Sequence, residues 1–170
     1  MRIQPAEERR IALPPRARIV PIASVMAGSL LTILPVIADA PLWPPFGLMM
    51  LLGWRLLRPE LWQAWIAIPL GAFDDLFSGQ PLGSGIMLWT LTLLVLDMMD
   101  NPAMWRDYWV EWLVGAIALA FCLAGGAAVV TLTTGGSVLM PVLPQIAISV
   151  AAFPFFLRLC ALLDRWRLRL

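Results

Sequence analysis

Apolar residues fill six runs of the chain, at about 19–38, 42–57, 61–77, 82–98, 109–132 and 140–163, and polar residues gather in the short gaps between them. Roughly 17–25 apolar residues is the length that crosses a bilayer as a helix. The pattern predicts an all-α integral membrane protein of about six transmembrane helices with short loops. The expected organisation is an Arg-rich arm over 1–18, a six-helix membrane domain over 19–163 and a basic tail over 164–170. The second and third runs are short and separated only by Arg58, Pro59 and Glu60. They could be a tilted or re-entrant pair, so a count of four to six crossings stays open. The fifth run is the cleanest, and it carries Ala116, Ala120, Ala124 and Ala128 at four-residue spacing, with Gly125 and Gly126 beside them. Such a small-residue stripe is a candidate helix-packing face, either within the bundle or against a partner's helix.

One place breaks the apolar pattern sharply. Residues 71–85 read GAFDDLFSGQPLGSG, with Asp74 and Asp75 set among Gly71, Gly79, Gly83 and Gly85. Ser78, Gly79 and Pro81 end the third run. Gly83 and Gly85 allow close backbone approach as the fourth begins. Acids inside a membrane segment are costly and become functional candidates by default. Three readings compete here: a proton or cation site, a substrate contact in a transporter cavity, and a structural acid that accepts hydrogen bonds from amides at the start of the fourth helix. Glycines one helical turn to either side of Asp75 favour the third.

Composition narrows the chemistry. The chain is 61% hydrophobic and 14% charged, with no histidine, and all twelve basic residues are arginine. This excludes a Ser-His-Asp triad, a lysine P-loop and a lysine Schiff base. Cys122 and Cys160 fall inside apolar runs without metal-ligand spacing and read as small buried hydrophobes. No nucleophile–base pair, metal site or cofactor motif is apparent, and no enzymatic activity, nucleic-acid partner or cofactor is expected.

Charge sets a topology. Arg2, Arg9, Arg10, Arg16 and Arg18 precede the first run; Arg55 and Arg58 lie between the second and third, and Arg106 between the fourth and fifth. Arg158, Arg165, Arg167 and Arg169 close the sixth, and the other three connections hold no basic residue. With six spans, the positive-inside rule places both termini in the cytoplasm. Tryptophans near the run ends, from Trp43 and Trp54 to Trp166, fit an interfacial belt, with Trp89 the exception deeper in the fourth run. The first run is about twenty residues, longer than the roughly 7–15 of a signal-peptide core, so an uncleaved first helix is expected. Pro35, Pro69, Pro144 and Pro154 are candidate kinks. Asp97, Asp100, Asp107 and Glu111 read as a solvated loop on the cytoplasmic side.

The spacing Gly71-x-x-x-Asp75-x-x-x-Gly79-x-x-Leu82-Gly83, at the junction of the third and fourth runs, resembles the signature of the rod-shape-determining protein MreD family. Chain length, minimal loops and the proline-bearing stretch Pro41-Leu42-Trp43-Pro44-Pro45-Phe46 before the second run fit as well. Asp74 is a departure, standing where an apolar residue is expected. The resemblance implies a fold similar to the substrate-binding subunits of energy-coupling-factor vitamin transporters. It also implies a non-catalytic, multi-pass subunit of the bacterial inner membrane within the cell-elongation complex. The implied partners are the bitopic protein MreC and, directly or through it, the actin-like MreB and a wall-synthesising glycosyltransferase and transpeptidase, alongside membrane lipids. The alternative reading is a small-solute, vitamin-type binding subunit of a transporter, with Asp39, Asp74, Asp75, Ser78, Gln80, Ser84 and Gln145 as candidate pocket residues.

Overall fold

The computed structural model of the chain describes residues 15–33, 43–99, 108–135 and 139–168. Pro35, Asp39, Asp100, Trp105, Arg106, Asp107 and Arg169, and the arginines of segment 1–14, lie outside them. The described chain is helical, without a strand. It comprises α1 (Pro15–Leu30), α2 (Phe46–Leu57), α3 (Ala67–Ser78), α4 (Ser84–Met98), α5 (Tyr108–Thr134) and α6 (Leu139–Leu168). Short 3₁₀ turns follow α1 (Leu31–Ile33) and link α2 to α3 (Pro59–Leu61 and Ala64–Ile66). Each predicted apolar run overlaps one of these helices.

Two of them are long and apolar enough to cross a membrane: Tyr108–Thr134 and, within α6, Val142–Arg167, with mean hydropathies of 2.4 and 2.2. The 27 residues of α5 reach about 40 Å at 1.5 Å per residue, beyond the roughly 30 Å of a hydrocarbon core. The second and third runs behave differently. α2 and α3 have 12 residues each, about 18 Å of helix. The third run opens with two 3₁₀ turns separated by an extended Trp62, and becomes α-helical only at Ala67. Pro69 falls in the first turn of α3, where its missing N–H leaves no intrahelical bond unmade. α6 runs unbroken through Pro144 and Pro154.

Short as it is, α2 is the centre of the bundle. It packs against α1, α5 and α6, and every residue from Gly47 to Leu56 is buried. That enclosure includes its one charged residue, Arg55. Met49, Leu52 and Trp54 are fully enclosed there, with Phe153 of α6 and Leu119 of α5 also inaccessible. α3 and α4 form a hairpin beside this core, α1 contacts α3, and α5 lies between α4 and α6. The outer faces remain apolar: Met87, Leu91 and Met98 of α4 and Leu113, Ile117 and Phe121 of α5 are exposed. Exposed apolar area on that scale marks a surface that meets lipid or a partner.

Trp54, Trp62 and Trp89 are all at least 96% buried, and of the tryptophans expected in an interfacial belt Trp43, Trp65, Trp109 and Trp166 are exposed. The boundary drawn at 163/164 falls inside α6: Asp164 and Arg167 are helical and buried, rather than parts of a separate basic tail.

Candidate functional site

The corner between α3 and α4 is built from the glycines and the acid singled out in the sequence. Gly79 ends α3 with φ 68° and Gly83 precedes α4 with φ 97°. Both lie in the left-handed region, which a side chain makes costly. They fold residues 79–83 into a turn tight enough to set α4 against α3. Gly71 lies at the crossing, where a Cβ would come within 2.9 Å of the Ile86 backbone. Gly85 abuts the Asp75 carboxylate in the same way. Leu82, the remaining residue of the spacing, is 76% exposed at the tip of the turn.

Asp75 is 3% exposed and receives the start of α4. Its Oδ2 accepts the Gly83 N–H at 2.8 Å and the Ile86 N–H at 3.4 Å, while Oδ1 accepts the Gly85 N–H at 2.8 Å. The first amides of any helix lack partners within it, and α4 has no cap from its own N-cap residue, Gly83. A carboxylate from the preceding helix supplies that cap, with the helix dipole adding to the attraction. Ser84 Oγ donates to the Pro81 carbonyl at 2.8 Å and so closes the same turn.

Asp74 points elsewhere. A Cβ on Gly47 would lie 3.2 Å from Asp74 Oδ1 and would collide with Ser29 Oγ, so this acid faces the junction of α1 and α2. Adjacent helical residues diverge by about 100°, which puts the two carboxylates on different interfaces of α3. Of the other polar residues proposed for a solute pocket, Ser84 Oγ lies 3.4 Å from Gln80 Oε1 beside the Asp75 corner. Gln145 Nε2 donates to the Trp43 carbonyl at 2.6 Å, Gln80 Oε1 sits over Gly126 of α5, and Asp39 lies outside the described residues.

The alanine stripe divides along α5. Ala116 is 8% exposed and Ala120 half-buried, while Ala124 and Ala128 are exposed. Its first half packs inside the bundle, where Ala116→Leu is expected to cost about 1–3 kcal/mol by overpacking. Ala128→Leu is expected to change stability by less than about 0.5 kcal/mol. Thermal unfolding of both variants in detergent micelles checks the contrast.

Sequence reasoning missed a second polar centre. Arg55, on the central helix and 2% exposed, donates to Asp97 of α4 at 2.6 Å. Asp164 accepts from Arg58 at 3.0 and 3.1 Å and from Arg167 Nε at 2.7 Å. The Arg167 guanidinium lies 5.2 Å from the Trp54 ring centroid, and the Trp54 indole donates to Ser24 Oγ of α1 at 2.8 Å. These side chains tie α1, α2, α4 and α6 at one end of the bundle. Asp97 therefore belongs to an ion pair, not to a solvated loop. The available signal was Asp164 standing alone among Arg158, Arg165 and Arg167, an acid that a purely topogenic cluster does not need.

Cys122 and Cys160 are free and buried. Cys122 Sγ lies 3.1 Å from Thr92 Oγ1, and Cys160 Sγ lies 3.8 Å from the Met50 carbonyl. Both tighten helix contacts.

Fold and site together define an all-helical protein with apolar outer faces and helices capable of crossing a membrane. Compared with protein-family models, curated proteins and solved structures, the chain matches none.

Proposed function

We propose that this chain is a non-catalytic, multi-pass scaffold subunit of the bacterial inner membrane, acting in the cell-elongation complex as MreD-like proteins do. The observation that carries the reading is the α3–α4 corner: Gly71, Asp75, Gly79 and Gly83, four of the five residues of the MreD-like spacing, each have a geometric task in one turn, and only Leu82 has none. The exposed apolar faces of α4 and α5 suit lipid on all sides. Six crossings with both ends in the cytoplasm agree with the arginine distribution. Of those arginines, Arg55, Arg58 and Arg167 are also fixed by internal pairing, so the orientation rests on the remainder.

In this reading the protein works through its helix faces. The Asp75 corner holds the outer end of α3 and α4 rigid for a periplasmic partner of the MreC kind. The exposed half of the alanine stripe, Ala124 and Ala128, offers a close-approach surface for a partner's membrane helix. Lateral wall synthesis would depend on the assembly so positioned, with the glycosyltransferase, the transpeptidase and MreB joined directly or through that partner.

Depletion of the protein in its own bacterium tests the proposal. Rods are expected to widen into spheres within a few generations, as measured by cell width under the microscope. Unchanged width would overturn the proposal, and a growth defect relieved by a single vitamin would favour the solute-binding subunit instead.

A further inference from the structure

The inner half of α6 has two faces. Phe153, Leu157, Cys160, Asp164 and Arg167 are buried against the bundle, while Phe155, Arg158, Leu162, Arg165 and Trp166 are exposed. At about 100° per residue, the five exposed positions share one stripe of the helix. The stripe is apolar except for its two guanidiniums.

Neither guanidinium has a protein counter-charge. Asp164 is taken by Arg58 and Arg167, and Asp97 by Arg55. Glu60 and Glu111 form no ion pair among the described residues. Arg158 and Arg165 make no ion pair or hydrogen bond with any described residue.

Depth sets Arg158 apart. It lies within Val142–Arg167, the part of α6 that is long and apolar enough to cross a membrane. Trp166 is exposed, an aromatic of the kind that sits at headgroup level. Arg158 is eight residues earlier, about 12 Å deeper along the axis. A charge at that depth ordinarily turns into the bundle or pairs with an acid. Arg158 does neither.

The geometry brings the two arginines to one point. Long arginine stems snorkel toward the interface, which for Arg158 means toward Arg165. The Cα–Cβ bond of Arg165 tilts toward the helix N-terminus, and so toward Arg158. The two residues are about 10 Å apart along the axis, with Leu162 between them, so both can reach one anion seated over Leu162. The anion that a membrane offers at this level is a lipid phosphate. Two guanidiniums against one phosphodiester leave a net positive charge, which disfavours a headgroup carrying its own ammonium.

We propose that this face of α6 binds one anionic phospholipid with an uncharged headgroup alcohol, of the phosphatidylglycerol class. Arg158 and Arg165 clamp its phosphate, and its acyl chains lie along Phe155 and Leu162. The proposal rests on the membrane reading above and not on the identity of any protein partner.

The test uses full-length protein reconstituted in nanodiscs of equimolar phosphatidylglycerol, phosphatidylethanolamine and phosphatidylcholine, then released for native mass spectrometry. The wild type is expected to retain one phosphatidylglycerol, favoured over either zwitterionic lipid by about five-fold for each arginine engaged. Arg158→Gln and Arg165→Gln are each expected to lower that preference by about five-fold, and the double variant to abolish it. Both side chains are exposed, so thermal unfolding of all three variants in phosphatidylcholine alone is expected to match the wild type.

Equal retention of the three lipids overturns the proposal. A preference that keeps its full size in Arg158→Gln also overturns it, because interfacial charge at Arg165 would then suffice without a clamp. A photo-crosslinker at Leu162 that captures a polypeptide in place of lipid does the same. If the chain is recovered away from membranes, the membrane reading fails with the lipid site. If it stays in membranes without lipid preference, only the lipid site fails.

Discussion

Asp75→Ala is expected to unfold the α3–α4 corner and lower stability by about 3–5 kcal/mol. The size follows from what is left behind. Three amide donors, those of Gly83, Gly85 and Ile86, lose a carboxylate that is 3% exposed. Hydrogen bonds to a charged acceptor contribute about 1.5–3 kcal/mol each, and a buried donor left unmade costs about 1–3 kcal/mol. The losses are not additive, since the freed turn can shift and admit water. Against a total stability of about 5–15 kcal/mol, the change is still a large fraction. Asp75→Asn keeps one acceptor oxygen but turns an NH₂ toward amide donors, and is expected to fall between the two. Denaturant unfolding in micelles gives the ranking, and the abundance of each variant in the membrane fraction gives its cellular counterpart. An Asp75→Ala protein as stable as the wild type would remove the capping role. A stable variant that lost rod shape would shift that acid to direct partner contact.

Asp164→Ala is expected to cost about 3 kcal/mol, at the lower end of the range for breaking a buried ion pair. Asp164 is 6% exposed and stands between two guanidiniums, those of Arg58 and Arg167. Without it the buried Arg167 guanidinium loses this carboxylate while it stays beside Trp54 in the core. Arg58→Ala is expected to cost less than about 1 kcal/mol, because that side chain is 44% exposed and water can serve it. Denaturant unfolding of the two variants in the same micelles checks the contrast. Similar losses for both would mean that the cluster acts as surface charge and not as a joint.

The corner at residues 71–85 was legible because its requirements are local. Left-handed backbone at Gly79 and Gly83 excludes nearly every other residue, and a lone pair of acids in an apolar stretch needs donors nearby. The glycines one turn to either side pointed to Asp75, but the separate surroundings of Asp74 were not legible. Asp74 and Asp75 are chemically identical neighbours, and only the rotation of α3 in the bundle separates their surroundings. The ion pairs were hidden for a related reason. Arg55 and Asp97 are 42 residues apart, and Arg58 and Asp164 are 106 apart, so no spacing rule connects them. Reading every arginine as a topology signal also masked the buried ones.

The sequence by itself determined that the chain is helical and strongly apolar, where each helix lies, and where the sharpest turn falls. Hydrophobic run length, glycine and proline act over a few residues, and no fold is needed to read them. The tertiary structure alone decided that short α2 is the enclosed centre of the bundle, that Trp54 and Trp62 belong to the interior, and that the alanine stripe is half covered. When apolar residues occupy every face of a helix, its own sequence carries no preference for one neighbour over another. Which helix is enclosed then depends on the packing of all of them together.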